Sequence, residues 1–527
     1  MTMERTDYRN LWRARLETGE FVASIECVTP EASEELEGAI APIIDLAERI
    51  KADPRFPTIA VTDRVKSDHD HDPVAVAARV AEACGKMPIV HLSGKDRDPR
   101  WLAEALRRAQ ASGLENFLLV TGDKLKSEPE DRRVRYYESV NMLMQARAES
   151  PAFHLAAAVS PFKYREEELM NQYLKMAKKA LAGADCFITQ IGWDMLKCKE
   201  LMAYRHRRGL TTPVMAGVMV LTAARGRYIR ANRLAGITVT DALQAHLEEE
   251  SKQPDKGVGA AYRRLALQIV GLKHLGFAGF QLTGIHQFDK LNRLFQQVDG
   301  LDRGLRDAGA WWDAWWHNLR GLDGAPTATA PARAFYLFKE LCEAGGWMVP
   351  LERLTLREVG SAETSSAESL KFRRLDRLDH MVFKDGSPGA VLLKPIAGLV
   401  RPGSTVERGL HWIERRVKEP IVGCQTCGFC RLPYTSYVCP ETCPKGLANG
   451  PCGGTTENTC EFGDRECVHN AKYRIAKATG RLAELEEVLI PTVPAEKRGT
   501  CSWTNHFRGA DPPVIRRTAL WEKGAHS

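Results

Sequence analysis

Eight of the fourteen cysteines fall between Cys424 and Cys467. The first three, Cys424, Cys427 and Cys430, form a C-x2-C-x2-C run in GCQTCGFC. Cys439, Cys443, Cys452, Cys460 and Cys467 follow as singles, two of them ahead of proline (Cys439-Pro440, Cys443-Pro444). Disulfides are rare in reducing compartments, so thiols at this density point to a metal or a cluster. Structural zinc usually takes paired C-x2-C knuckles, and the second knuckle is missing. The tight triple run is the spacing that wraps three corners of a cubane [4Fe-4S] cluster, whose fourth ligand is often a cysteine before proline. Eight thiolates suffice for two such clusters, for one cluster with a zinc, or for one cluster with spare thiols; zinc alone is the alternative. Glycines and the asparagine of CPKGLANGPCGGT supply tight turns and N–H groups that tune a cluster.

A second set of polar residues recurs at the ends of short apolar runs: Glu26, Thr62 with Asp63, His91 with Ser93, Asp123, Ser160, Gln190, and Thr283 with His286. Singly, each reads as a cap or a satisfied polar group. As a ring, they offer carboxylates behind the first and fourth runs for proton transfer and for tuning a cofactor.

The elements that must carry this ring are eight apolar runs, starting at Phe21, Thr58, Pro88, Asn116, His154, Cys186, Pro213 and Gly279. Segments of helical period lie between them, such as EELEGAIAPIIDLAERI and EEELMNQYLKMAKKALAGA. Eight buried strands alternating with helices over about 250–300 residues predict an α/β fold, a (β/α)8 TIM barrel, with helical additions before the eighth strand. A doubly wound sheet is disfavoured, because no G-x-G-x-x-G follows the first strand. Four tryptophans in AWWDAWWHNL (Trp311, Trp312, Trp315, Trp316) read as an aromatic stripe docked on the barrel or on another subunit. GLDGAPTATAPAR (from Gly321) and GSAETSSAES (from Gly360) read as flexible linkers, ARAFYLFKELCEAGG as helical, and FKDGSPGAV as loop-rich. The chain therefore divides into a barrel (1–320), a bridging segment (321–408) and a small cysteine-rich α+β domain with a C-terminal tail (409–527).

With 44% hydrophobic and 27% charged residues and a net charge of +7 spread over 527 residues, composition is ordinary. No Lys/Arg block suggests nucleic acid. No apolar run reaches membrane-spanning length and the N-terminus lacks a signal-like core, so a soluble, cytoplasmic protein is expected, with homo-oligomerisation left open. Of the remaining cysteines, Cys27, Cys84, Cys186, Cys198 and Cys342 read as small buried hydrophobes and Cys501 as a spare thiol.

The first three hundred residues resemble the flavin-dependent methylenetetrahydrofolate reductase family, through IECVTP, VTD, VHLSG, TGD and KKALAGADCFITQ. The resemblance implies roles one residue at a time. Glu26 matches the acid that helps protonate folate N10. Asp123 matches the aspartate between flavin and folate, in a turn with Gly122. Gln190 matches the pterin contact, and Thr62, His91 and Lys179 match flavin contacts, Lys179 near the phosphate. The sequence departs from the family at Thr121, Gln172, Lys175, Ala224 and Thr283-Gly284-Ile285. These departures leave FMN as an alternative to FAD and disfavour NADH as the direct donor.

Residues from about His411 to Ala476 resemble the domain found C-terminal to these reductases, which acetogens carry as a separate partner subunit. The matching stretches are ERRVKEPIVGCQTCGFC, VCPETCPKGLANGPCGGT and CEFGDRECVHNAKYR. Together the resemblances imply an oxidoreductase interconverting 5,10-methylene- and 5-methyltetrahydrofolate, with electrons relayed through a cysteine-ligated cluster to ferredoxin or another carrier. The alternatives are a methyltetrahydrofolate-binding methyltransferase with a zinc–thiolate site, and a reductase whose cysteine module is only a structural zinc clip.

Overall fold

The computed structural model describes residues 8–126, 136–321, 324, 326–357 and 364–517. A short helix, α1 (Leu11–Glu17), precedes β1 (Val22–Cys27). Strands and helices then alternate: α2 (Leu36–Ile50), β2 (Thr58–Val61), α3 (Pro73–Cys84), β3 (Ile89–Ser93), α4 (Pro99–Ala111), β4 (Asn116–Val120), α5 (Ser139–Glu149), β5 (His154–Val159), α6 (Glu166–Leu181), β6 (Cys186–Thr189), α7 (Met195–Arg207) and β7 (Val214–Met219). Three helices, α8 (Ala223–Ala231), α9 (Asp241–Glu250) and α10 (Val258–His274), lead to β8 (Gly279–Thr283), as the long gap predicts. The eight strands close into a parallel barrel, β8 returning to β1 with Ile25 beside Leu282. Strands buried on both faces carry continuous apolar runs, which is why these segments lack alternation. All eight predicted strands are present.

After the barrel come α11 (Phe288–Gly304) and α12 (Ala308–Asn318), the tryptophan helix. Trp311 and Trp315 are fully buried and Trp312 nearly so. The stripe docks on α10: Trp311 Nε1 donates to the Leu267 carbonyl at 2.7 Å. A Cβ at Gly271 would lie 1.9 Å from the Trp311 ring, so only glycine admits this approach.

The segment 332–346, predicted helical, holds only short 3-10 turns. Its backbone groups are taken by a buried pair on α7. Lys197 Nζ donates to the Phe335 carbonyl (2.6 Å), and Glu200 accepts from Leu337 N. That competes with an internal helical ladder. FKDGSPGAV is likewise part helix: Ser387 caps α14 (Pro388–Leu399), with proline at the first turn. Before it runs α13 (Ser366–Leu378), whose Ser365–Glu368 capping box orders the end of the second predicted linker. Positions 360–363 of that stretch, and 322, 323 and 325 of the first linker, lie outside the described residues.

The cysteine segment follows α15 (Thr405–Val422) and is closed by α16 (Val468–Ala478), α17 (Glu484–Glu487) and α18 (Ser502–Phe507), with a two-strand ladder of β9 (Val488–Leu489) and β10 (Ile515–Arg516). Phe372 of α13 packs in one small core with Val422, Leu432, Tyr437, Cys439 and Ile475. Cys342 is exposed, contrary to expectation, because it ends a surface 3-10 turn. Cys501 is fully buried as the residue before α18. Among the described residues no helix is long and apolar enough to cross a membrane.

Candidate active site and cysteine centres

The barrel mouth opens into a cavity of about 270 Å³. Glu26, His91, Gly122, Asp123, Lys179 and Gln190 all line it. Thr62 does not. Its hydroxyl turns away and accepts from Thr29 N at 3.3 Å, while Thr29 donates back to the Thr62 carbonyl, so Thr62 pins the loop after β1. Asp63 serves structure as well: it accepts from Ser93 N (2.7 Å) and is paired with Arg97.

Glu26 Oε2 accepts from Gln281 Nε2 at 2.7 Å. Desolvation lifts this carboxyl above the usual range and outweighs its hydrogen bonds from Gln281 and Thr283. A carboxyl biased toward its protonated form at a cavity wall is a proton donor. His286 Nε2 lies 2.9 Å from the Glu26 carbonyl and fixes the strand end. Asp123 faces the cavity, and its carboxyl is raised by desolvation and by Glu461, with Lys445 and Lys95 opposing. Burial pushes His91 down to about 4, so its imidazole is neutral at neutral pH. Burial and then Lys175 bring Lys179 down to about 7; its ammonium donates to the Ala158 carbonyl at 2.5 Å. Gln190 is partly spent, donating to the Ala235 carbonyl (2.9 Å) and accepting from Ile191 N (2.8 Å). One N–H and one lone pair of its amide are left for a ligand.

Three buried polar atoms of the lining lack a protein partner: His91 Nε2, Ser160 Oγ and Gln281 Oε1. Buried polar atoms are normally satisfied, so this mixed set suits a heteroaromatic ligand bearing both donors and acceptors. Gly122, at φ +86°, makes the turn into Asp123; a Cβ there would meet Ser93 Oγ at 2.2 Å.

The cysteine module closes one side of this cavity. Pro451, Cys452 and Gly453 are part of its lining. Gln172 donates to the Cys452 carbonyl (2.8 Å), Lys175 to those of Gly450 (2.9 Å) and Pro451 (3.0 Å), and Lys163 to that of Gly453 (2.7 Å). From the other side, Lys445 Nζ donates to the Gly122 carbonyl (2.8 Å) and pairs with Glu461 at 2.5 Å. Glu461 also accepts from Lys124 N (2.5 Å) and from the Cys452 thiol (3.4 Å). Glu138 anchors the same seam, paired with Lys175 (2.8 Å) and accepting from Ala448 N and Asn449 N at 3.1 Å. Burial alone would raise the Glu138 carboxyl, but Lys175 and these donors outweigh it and hold it at about 2. Glu138, Lys163, Lys445 and Glu461 were not singled out from the sequence. Their meaning depends on a contact some 300 positions away in the chain.

The eight thiols divide in chain order. Cys424, Cys427, Cys430 and Cys439 surround one small cavity; Cys443, Cys452, Cys460 and Cys467 surround another. One 3-10 turn, Pro440–Thr442, joins the two sets. Burial pushes Cys424 and Cys452 up to about 11 and Cys439 and Cys467 to about 12. Such thiols become thiolates only against a strong cation, as metal binding supplies. Two all-sulfur quartets therefore fit metal-based groups by donor chemistry. Among the described residues, no three His, Cys, Asp or Glu side chains form a group that could hold a single metal ion.

Residues 11–289, more than half of the chain, match the family model for methylenetetrahydrofolate reductase. The chain belongs to the methylenetetrahydrofolate reductase family. Residues 404–494 match a second model, methylene-tetrahydrofolate reductase C terminal, so this reductase-like oxidoreductase carries both parts in one chain. Solved structures similar to the reductase barrel include an uncharacterized protein from Clostridium thermocellum that binds two copies of 5-methyl-5,6,7,8-tetrahydrofolic acid (12% identity, TM-score 0.42, 56% of this chain and 99% of that chain). Another is oxaloacetate acetylhydrolase (14% identity, TM-score 0.33, 58% and 89%).

Proposed function

We propose that this chain interconverts 5,10-methylene- and 5-methyltetrahydrofolate at a flavin held in the barrel mouth, exchanging electrons through iron–sulfur clusters held by the two quartets. The observation that carries the reading is the position of Cys452, which belongs to the inner quartet and also lines the barrel cavity. Reduction of the methylene group consumes two electrons and two protons. A bound flavin, FAD or FMN, supplies hydride chemistry to such a cavity. Glu26, with its raised carboxyl, holds the proton that the folate nitrogen needs as its ring opens. Asp123, buried on the cavity wall, would tune the bound ring systems through its carboxyl, and Gln190 would offer its remaining N–H and lone pair to the pterin. His91, Ser160, Gln281 and Lys179 line the wall against which the flavin would bind. Neither quartet has the paired C-x2-C knuckles of structural zinc, which supports clusters.

The test is anaerobic purification followed by metal, sulfide and flavin analysis, with EPR of the reduced protein. Two cubane signals, one flavin, and oxidation of 5-methyltetrahydrofolate with a dye acceptor are expected. Zinc without iron or flavin would overturn the reading in favour of methyl transfer or a structural clip.

A further inference from the structure

Twelve of the seventeen exposed large hydrophobic side chains among the described residues lie between Leu370 and Ile421, on α13, α14, α15 and the turns between them. Leu399 is 83% exposed, Met381 67% and Trp412 60%. At this density the patch presents on the order of 1,000 Å² of apolar surface, comparable to the roughly 800 Å² per partner of a specific protein interface. Isolated exposed hydrophobes need no explanation, but twelve gathered on three helices and the turns between them, four of them (Leu378, Ile396, Val417 and Ile421) lining one groove, mark an interaction site.

The patch surrounds an apolar groove of about 520 Å³ between α13, α14 and α15, with Trp503 and Phe507 of α18 on one wall. Cys430 of the outer quartet also lines the groove. Lys418, beside it, donates to Cys430 Sγ (3.5 Å), Ser502 Oγ (2.9 Å) and Glu414 (2.6 Å). The face is therefore continuous with the outer quartet.

Its charge is one-sided. Lys371, Arg373, Arg374 and Arg377 are exposed on α13, and six more lysines and arginines are exposed from Lys384 to Arg416. Against these ten stand two exposed acids, Asp385 and Glu419, and Glu419 is already paired with Arg415 at 3.0 Å. Helical spacing interleaves the cations with the apolar residues: Arg374 lies one turn from both Leu370 and Leu378, and Arg416 one turn from Trp412. A second copy of this chain would bring like charges together. An acidic protein matches the charge, and an apolar centre with a charged rim is the usual anatomy of such a contact.

We propose that this face is the docking site of an acidic, cluster-bearing one-electron carrier protein. The proposal rests on the electron-relay reading above. Each docking passes one electron, so two dockings per turnover provide the two electrons that, with two protons, reduce the methylene group.

The test uses anaerobic holoenzyme and an acidic two-cluster ferredoxin as the probe. Calorimetric titration should give an affinity that weakens as salt rises and drops tenfold or more in Ile396→Asp and in Arg374→Glu. Turnover with a small viologen dye should be unchanged in both. Arg374→Glu leaves the groove's apolar lining intact and decides the matter should Ile396→Asp fail to fold. Unaltered ferredoxin affinity in the variants overturns the proposal. So does conversion of a wild-type dimer to a monomer, which assigns the face to a second copy, or loss of co-sedimentation with anionic vesicles while ferredoxin binding persists, which assigns it to a membrane. Wild-type protein inactive with the dye overturns the underlying reading; dye activity without ferredoxin binding overturns only the docking site.

Discussion

The inner and outer cysteine quartets hold the same four donors in different surroundings. The inner one is wedged between module and barrel: Cys452 is held by its carbonyl from Gln172 and by its thiol from Glu461, and the seam around it is closed by Lys163, Lys175 and Lys445. The outer one meets the barrel nowhere in its lining and instead shares Cys430 with an apolar groove that opens to solvent. One quartet thus borders the barrel cavity and the other a groove on the protein surface. The difference gives the module two unlike ends, one against the barrel cavity and one against a surface groove; on the proposed reading the first serves the reaction and the second exchange with a carrier.

Breaking the inner end should have the largest effect. Cys452→Ser is expected to lower dye-linked turnover by about three orders of magnitude, with one EPR signal lost, whereas Cys427→Ser should remove the other signal and spare dye turnover. Equal losses in both variants would abolish the distinction between the ends. Next comes Glu26→Gln, with a drop of roughly 10²–10⁴ in the rate of folate reduction at unchanged flavin and iron content, the usual weight of a general acid. Because the Glu26 carboxyl is raised and must be protonated to act, the reductive rate should fall as pH rises through its pKa. The pH–rate profile of Glu26→Gln should lack that limb.

The seam itself can be titrated. The Glu138 carboxyl lies at about 2 in the folded protein against an ordinary value of 4.5. It is depressed, so its contribution is complete above the ordinary value and is lost as pH falls from there toward 2. The linkage amounts to about 3 kcal/mol at neutral pH. Glu138→Gln should destabilise the protein by about 3–5 kcal/mol, as removal of one partner of a buried pair does, and flatten the acid limb of stability followed by thermal melts. The smallest effect is expected at the outer end. Lys418→Met removes a cation beside Cys430, and redox titration should show the outer signal alone shifting to lower potential.

Much of this was legible in the sequence wherever chemistry and period coincide. The eight apolar runs mark the strands, and seven of the polar residues at their ends line one cavity. Thr62 lies off the cavity lining, because a residue at a strand end has two sides and only the tertiary partner Thr29 determines which way the hydroxyl turns. Gln190 lines the cavity, but its bond to the Ala235 carbonyl depends on a loop 45 positions away. Residues 332–346 have helical composition, yet Lys197 and Glu200 of α7 claim some of their backbone groups. Conversely, Ser365 with Glu368 and Ser387 with Pro388 are local helix-start signals that a reading for flexible linkers passed over. The division of the cysteines into two sets of four was beyond reach, since spacing fixes the first three ligands and leaves the others interchangeable.

The single turn from Cys439 to Cys443 has a bearing on biogenesis. It binds the last ligand of one set to the first ligand of the other with only Pro440, Glu441 and Thr442 between them. Loading either site would fix one end of this tether and raise the effective concentration of the remaining thiols around the second. In the intact chain, filling one set should then speed filling of the other, and partly filled molecules should be scarcer than independent filling predicts.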